Sequence, residues 1–481
     1  MSSNIKVIQV IPKLGYGGAE TGCYDIAHYL SENNCKSFIV TSGGDLTKYV
    51  NKEKVTLIRL PVHSKNPLLI FINTIILIGI ILFYNISIVH ARSRAPAWSC
   101  LFATKLTRRK FVTTFHGTYN FSGKLKKFYN SVMVRSDLII AGSNFIFSHI
   151  NENYSKLLNS KKKFLVIFRS INTDYYDSST VTVSQEDKLL NNWDIDRDKK
   201  LILMPGRLTS WKGQEIFIEA IHLVNVELGY LPFYAVILGS DQGRSLYKKK
   251  LIRLMERYRL TKNLKFINNS KNMAVAYKIS DIIVSASIEP EAFGRVSVEA
   301  QSMQKPIIAS NIGGSKETIV NDKTGFLFET EKPGELCKKI IETLQLDETT
   351  LKSMGNEGRK NVINKFNVEK MCFSTYSEYK KLLNNWNVDR DKKLILMPGR
   401  LTSWKGQELF IEAIHLVNVE LGYLPFYAVI LGSDQGRNLY KKKLIRLVEQ
   451  YRLTNQIKFI DHCKDMALAY KVSDIVISPS I

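Results

Sequence analysis

Cysteine is sparse, and its spacing carries no pattern. Cys23, Cys35, Cys100, Cys337, Cys372 and Cys463 are spread over 481 residues with no Cys-x-x-Cys pair and no Cys/His ligand spacing. Neither a disulfide framework nor a zinc centre is therefore expected, and a reducing cytosol is the simplest compartment. Acidic residues are in deficit, with 44 Asp and Glu against 68 Lys and Arg, a formal charge of +24. A field of that sign favours an anionic partner, but charge alone does not choose among nucleic acid, an acidic bilayer and phosphorylated small molecules. A long apolar run is missing too. The nearest approach is Leu68–Phe83, shorter than the about 20 residues of a spanning helix and interrupted by Asn73 and Thr74. It is read as a helix packed in an α/β layer, with partial rest on a bilayer surface as the other reading. The opening MSSNIKVIQVIPK leads into a strand-like run too short for a signal-peptide core, so no export signal is expected.

With 45% hydrophobic and 23% charged residues the composition is that of a soluble globular protein, and the length calls for two or three domains. Short β-rich runs alternate with helical stretches. Lys6–Ile11, Ser37–Thr41, Val55–Leu60, Ile86–His90, Phe111–Phe115, Leu138–Ala141 and Phe164–Phe168 are predicted strands. After the polar stretch Asp174–Asp187 a second series begins: Leu201–Met204, Phe233–Leu238, Leu264–Ile267, Asp281–Ser285, Pro306–Ala309 and Gly325–Phe328. Such alternation implies parallel strands with right-handed crossovers. The expected domains are 1–187, 188–383 with a closing helix at Val368–Leu383, and 384–481.

The last of these is a near-copy. Residues 381–481 repeat 188–288 at a constant offset of 193, Trp404 against Trp211, and both carry GRLTSWKGQ. Only the first copy continues, within this sequence, into EPEAFGRVSVEAQ, Glu289–Gln301. A unit without the strands that follow would present an uncovered sheet edge and unburied helix faces. The expectation is that it does not fold as an independent domain and is not catalytic. Two further readings are an exchange, in which the copy pairs with Glu289–Phe328 in place of its twin, and a degraded relic.

Two motifs carry chemistry. GRLTSWKGQ lies between the strand Leu201–Met204 and a helix starting near Gly213, with Ser210 as expected N-cap. Arg207 and Lys212 thus sit at the positive end of a helix dipole, an arrangement unfavourable by about 0.3–1 kcal/mol per cation unless an anion is present. A solvated basic turn accounts for this motif equally well on its own. EAFGRVSVE places Glu291 in a loop and Glu299 inside a helix starting near Gly294, where the amides of Arg295 and Val296 are free to receive a diphosphate oxygen. A carboxylate at Glu299 can accept a ribose diol. The competing account has Glu299 complementing the dipole and Glu291 as a surface residue; the two motifs together disfavour it.

The pairing resembles glycosyltransferase family 4, retaining enzymes of the GT-B fold, whose mark is Glu-x7-Glu after a GR-x-x-x-x-KG loop. Glu291 and Glu299 match the first, and Arg207, Lys212 and Gly213 the second. The likeness runs from residue 5 to about 383 and includes GYGGAE (Gly15–Glu20), TFHGTY (Thr114–Tyr119) and AGSNF (Ala141–Phe145). It implies two Rossmann-like domains facing a cleft, and transfer of a sugar from a nucleoside-diphosphate sugar with retention. It assigns Arg207 and Lys212 to the leaving diphosphate, Glu299 to ribose, Glu291 and His116 to the donor sugar, and Gly17 and Gly18 to backbone contacts. Gly213, Gly239, Phe293, Gly294, Arg295 and Val296 complete the nucleotide-sugar set.

No Asp-x-Asp pair follows a strand in the donor pocket, so neither a metal nor a cofactor is expected. The acceptor is expected to be a glycan or a lipid-linked molecule of the cell envelope. Phe121, Leu125, Phe128 and Val132 recur at helical spacing among Lys124, Lys126 and Lys127, a pattern suited to an anionic membrane and equally to an ordinary amphipathic surface helix. The basic runs Lys161–Lys163 and Lys248–Lys250 are read as solvated faces. A cytoplasmic protein, peripheral to the inner face of the membrane, is the expected setting. The rival catalytic reading is a nucleotide-sugar epimerase of the same fold. A basic nucleic-acid binder, the reading from another class, is disfavoured because no recognised module or cluster of stacking aromatics is present.

Overall fold

The computed structural model describes residues 5–119, 123–158, 162–383 apart from 242, 244, 269 and 271, and 393–480 apart from 437, 462–465, 467, 468, 471 and 472. Expectations that rest on Asn120, Phe121, Lys161, Cys463, Ile481 or a domain start at 384 lie outside the described residues.

Seven parallel strands form the first sheet: β1 Lys6–Val10, β2 Lys36–Thr41, β3 Val55–Arg59, β4 Ile88–Ala91, β5 Lys110–Phe115, β6 Leu138–Ala141 and β7 Lys163–Val166. Their order is β3-β2-β1-β4-β5-β6-β7, so the direction of winding reverses between β1 and β4. The second sheet holds β8 Lys200–Pro205, β9 Phe233–Leu238, β10 Leu264–Ile267, β11 Ile282–Ser285, β12 Ile307–Ser310 and β13 Phe326–Phe328, in the order β10-β9-β8-β11-β12-β13, reversing between β8 and β11. Strand ends at such reversals open crevices in which ligands bind. Strands buried on both faces read as continuous apolar runs, which is why Leu201–Met204 and Ile282–Val284 were legible.

The domain boundary lies earlier than the expected 187/188. Ile171 and Tyr176 are buried in the core of the second domain beside Trp193, Leu201 and Tyr277, and the helix Val183–Trp193 runs through the expected break. The polar composition of 174–187 misled because its few apolar members do the packing. The closing helix Val368–Leu383 does not belong with the second domain either: Tyr379 packs against His90 of β4 and Glu378 pairs with Lys163 of β7 at 2.5 Å. The chain thus crosses between domains twice, at adjacent places marked by the bridge Ile171 to Asn367.

The helix Pro67–Phe83 is oriented against its polarity. It packs beside the helix Arg94–Thr107 and buries Asn73, Thr74, Leu77 and Ile81. Asn73 donates to the Pro61 carbonyl at 3.2 Å and Thr74 to that of Ile70 at 2.8 Å. Leu68, Phe71, Ile75, Leu82 and Phe83 are left exposed. A helix packed in an α/β layer was the expectation, and the layer covers one side of it.

The C-terminal copy is a separate compact unit with four parallel strands, β14 Lys393–Pro398, β15 Phe426–Leu431, β16 Ile457–Ile460 and β17 Ile475–Val476, in the order β16-β15-β14-β17. Met397, Phe410, Ile411, Ile414, Ile430, Leu444 and Val448 are buried in its core. This is more than the sequence reading allowed: among the described residues, the four strands and the helices Gln407–Leu421 and Asn438–Gln450 enclose this core. The uncovered edge is nevertheless there. Ile475 and Val476 are exposed, as are Leu409, Leu416, Val419 and Leu421 of the helix Gln407–Leu421. The exchange is not the arrangement found: β11 of the first copy pairs with β12 in its own sheet, Ile283 opposite Ile307. Truncation after Leu383 is accordingly expected to leave the main calorimetric unfolding transition within about 2 °C of the full chain's, since a shift of 1 kcal/mol moves a large domain by that order; a larger drop would show that the copy supports the rest.

Candidate active site

Carboxyl ends of both sheets face one cleft of about 990 Å³, a size suited to a nucleotide sugar. Lys13, Tyr16, Gly17, Gly18, Glu20, His116, Thr118 and Arg169 line it from the first domain. Arg207, Lys212, Tyr277, Glu291, Phe293, Gly294, Arg295, Val296 and Glu299 line it from the second. The cations at 207 and 212 and the carboxylates at 291 and 299, far apart in sequence, are therefore brought together.

Lys212 and Glu291 form the centre of the second-domain wall. Nζ of Lys212 donates to Oε1 of Glu291 at 2.7 Å, both side chains being nearly buried, and Ser287 Oγ donates to the same oxygen at 2.5 Å. Burial pushes the Glu291 carboxyl up, yet the Lys212 ammonium and the hydroxyl donors outweigh it and hold the group below its ordinary value. The local backbone differs from expectation at the N-terminal side. Ser210–Lys212 is a turn of 3-10 helix, and Gly213, not Ser210, caps the helix Gln214–Leu228. Gly213 has φ +72, and a Cβ there would lie 1.8 Å from the Ala286 carbonyl oxygen.

Gly213 and Gly239, also expected in the donor site, are not among the residues that line the cleft. A Cβ on Gly239 would stand 1.9 Å from the Gly206 carbonyl oxygen. Both glycines permit close backbone packing behind the wall rather than the approach of a ligand. Gly294 caps the helix Arg295–Ser302 at φ +78, where the helix start was expected, and the first amides of that helix have no acceptor within it.

Glu299 is more heavily engaged than its ribose assignment implies. Tyr176 and Arg295 donate to Oε1 at 2.8 and 2.6 Å, and Tyr277 donates to Oε2 at 2.7 Å. Burial and the adjacent Glu299 charge push both tyrosine hydroxyls well up, so they remain proton donors. Arg295 is the more exposed donor and also reaches the Tyr16 carbonyl of the first domain at 3.3 Å. The tyrosines went unnoticed in the sequence because Tyr176 sits in the supposed linker and Tyr277 in a short helix without a motif.

On the first domain, His116 follows β5 and its Nδ1 is hydrogen-bonded by the Arg169 guanidinium. Burial, then the positive charges of Arg169 and Arg92, drive its pKa well down, so the imidazole is neutral at physiological pH. The sequence reading missed Arg169; the only available signal was a cation just beyond a strand, at the same sheet edge as His116. Gly17 and Gly18 line the cleft as expected, but added Cβ atoms would meet Glu20 Oε2 at 2.3 Å and Arg169 Nη2 at 2.7 Å. Their lack of side chains makes room for neighbouring side chains as well.

Two doubly wound parallel sheets that meet edge-on at a cleft, with a lysine and an arginine opposite a free helix N-terminus, define a glycosyltransferase of the GT-B type. The model of the glycosyl transferases group 1 matches residues 185–361 and again 379–481, and that of glycosyltransferase family 4 matches 16–175. The chain belongs to this glycosyltransferase family and is a glycosyltransferase. A crystal structure of a glycosyltransferase from Rickettsia africae is 38% identical, with a TM-score of 0.73, covering 80% of this chain and 100% of that one. The capsular polysaccharide biosynthesis glycosyltransferase CapM of Staphylococcus aureus is 30% identical over 41% of this chain and 48% of its own. Anabaena Alr3699/HepE, crystallised with UDP and glucose, shares the fold at 20% identity and a TM-score of 0.66, covering 78% of this chain and 100% of that one.

Removing one partner of a buried ion pair leaves the other charge uncompensated. Lys212→Ala should therefore destabilise the protein by about 3 kcal/mol at pH 7. A depressed carboxyl contributes stability above its ordinary value of 4.5 and loses it as pH falls through the folded value. The penalty should thus shrink at pH 3.5, where Glu291 in the variant is neutral; urea midpoints of both proteins at the two pH values check this.

Proposed function

We propose that this glycosyltransferase moves a sugar from a nucleoside-diphosphate sugar to a lipid-linked or polysaccharide acceptor, with retention at the anomeric carbon, in cell-envelope glycan synthesis. One observation carries the reading: Arg207 and Lys212 lie on the same cleft as the free amides of Arg295 and Val296. That combination suits a diphosphate and stabilises the charge that grows on the departing oxygen. These cations do the electrostatic work for which other transferases use a metal, so none is required on this reading. The bond from the anomeric carbon to the diphosphate oxygen breaks while the acceptor oxygen bonds on the same face, and the acceptor proton passes to the leaving diphosphate. Glu291 holds donor-sugar hydroxyls. Glu299 takes the ribose diol once Arg295 swings away, the tyrosines remaining in place. HepE, of the same fold, holds UDP and glucose, and CapM is a capsular polysaccharide enzyme by name; both fit this donor and this setting.

A membrane-side acceptor accords with the exposed apolar face of Pro67–Phe83 and with Leu125 and Phe128, exposed on the lysine-rich helix Lys124–Asn130. Trp98 lies on the helix Arg94–Thr107, which packs beside Pro67–Phe83, and its ring is 5.5 Å from that of Phe128 and 5.8 Å from that of Phe102 on its own helix. Among the described residues no helix is long and apolar enough to cross a membrane, so contact would be peripheral, at the inner face of the cytoplasmic membrane.

Screening UDP-, GDP- and ADP-sugars should reveal one donor that raises the melting temperature, since a ligand at 100 times its Kd adds about 2.7 kcal/mol. With that donor, Lys212→Ala should abolish most turnover, and Arg207→Ala, at an exposed position, should cost about 10²-fold without loss of stability. Binding to phosphatidylglycerol-rich vesicles in a sedimentation assay should fall when Phe71 and Phe83 are both changed to Ser; unchanged binding would remove the membrane contact from this reading.

A further inference from the structure

His116 keeps one nitrogen in reserve. Nδ1 faces the Arg169 guanidinium, which has donors only, so Nδ1 must be the acceptor. Nε2 is shielded from solvent and has no hydrogen-bond partner among the described residues. A buried polar atom with no partner is uncommon and asks for one. Arg169 is itself set with care. Its backbone amide donates to the Gly142 carbonyl at 3.1 Å. Its side chain runs through a slot between two glycines: a Cβ on Gly142 would lie 2.9 Å from Arg169 Cγ, and one on Gly18 2.7 Å from Nη2. The glycines of GYGGAE and AGSNF, in different strand-end loops, thus have one task in common.

We propose that Arg169 is a positioning residue that locks His116 as the Nε2–H tautomer, so that a ligand atom reaching Nε2 meets a hydrogen-bond donor and the imidazole cannot serve as a base there. Burial, then the nearby charges of Arg92 and Arg295, brings the Arg169 pKa down to about 10, which leaves the guanidinium charged and donating at neutral pH. Histidine's two ring nitrogens are distinct, and the partner of one decides what the other can do. A sugar or acceptor oxygen that reaches Nε2 would accept its hydrogen bond, and the acceptor proton goes elsewhere. This rests on the proposed transferase chemistry for its consequence, but the tautomer itself does not.

The full chain labelled with 15N-histidine gives the tautomer directly, His116 being assigned by the signal lost in His116→Gln. At pH 7.5 the expected result is a protonated Nε2 and an unprotonated Nδ1; a protonated Nδ1 in the unaltered protein overturns the proposal whatever the enzyme transfers. Turnover supplies the second readout. Arg169→Met should lower kcat about tenfold, the effect of one lost hydrogen bond of 1.4 kcal/mol, and Arg169→Lys should recover part of it. In a His116→Ala background the same Arg169→Met change should cost less than about twofold, because coupled residues do not add. Equal losses in both backgrounds would show that Arg169 acts other than through His116 and would sink the assignment. If no sugar transfer is found at all, the proposed function fails while the nitrogen signals still decide the tautomer.

Discussion

A buried ammonium facing a buried carboxylate organises this active site. Lys212 and Glu291 are 2.7 Å apart in surroundings where either charge alone would be costly, so the turn after β8 and the loop after β11 are tied together. Everything behind the pair serves that closeness. Gly213 lets its turn approach the Ala286 carbonyl, Gly239 lets β9 end against Gly206, and Gly313 lets a further loop lie on the Glu291 backbone. A methyl group at any of these points would push the two charges apart. The pair also leaves Lys212 poised: its ammonium donates to a carboxylate oxygen shared with Ser287 and lies 4.7 Å from the centre of the Trp211 ring, so a diphosphate arriving beside it meets a cation already desolvated and oriented.

The first domain is held to this wall by a few polar contacts and a returning helix. Ser143 donates to the Ala292 carbonyl at 2.5 Å, and the Glu317 carboxylate accepts the amides of Asn144 and Phe145, at 2.7 and 2.5 Å, at the start of the helix Asn144–Tyr154. A carboxylate at a helix N-terminus is favoured by the dipole, which makes this a directed joint between domains. Arg295 joins Glu299 to the Tyr16 loop. Since the ribose reading requires Arg295 to leave Glu299, donor binding and the grip on the first-domain loop are linked through one guanidinium. His116 and Arg169 stand on the facing edge, where the order of strands brings the ends of β5 and β7 on either side of β6.

Much of this was legible before any coordinates. All thirteen strands of the two main sheets were located; the central ones, buried on both faces, leave unbroken apolar runs, while the half-covered β3, β7 and β10 were marked by short β-rich runs. Of the donor residues named in advance, Arg207, Lys212, Glu291, Phe293, Gly294, Arg295, Val296 and Glu299 line the cleft, as do Gly17, Gly18 and His116. Gly213 and Gly239 do not, and the reason is instructive: a glycine that admits a ligand and a glycine that admits a neighbouring backbone look identical in a sequence. The domain boundary was misplaced because five buried apolar residues within 171–195, Ile171, Tyr176, Leu190, Trp193 and Ile195, count for more in packing than the surrounding polar ones do in composition. Pro67–Phe83 was recognised as a helix, but which face it buries could not be read from a run apolar almost all round.

Residue types and spacings written along the chain thus determined the elements, the basic loop and the Glu-x7-Glu helix start, and the repeat at 381–481, since each is a sequence pattern that can be read without knowing any contact in space. Tertiary structure alone decided that Lys212 is neutralised by Glu291, that Tyr176 and Tyr277 occupy Glu299, that Arg169 reaches His116, and that Asn73 and Thr74 point inward while Phe71 and Phe83 face out. Those are contacts between residues up to 123 positions apart, as for Tyr176 and Glu299. Their existence depends on distances of a few tenths of an ångström set by the packing of whole sheets, and no window of sequence contains that information.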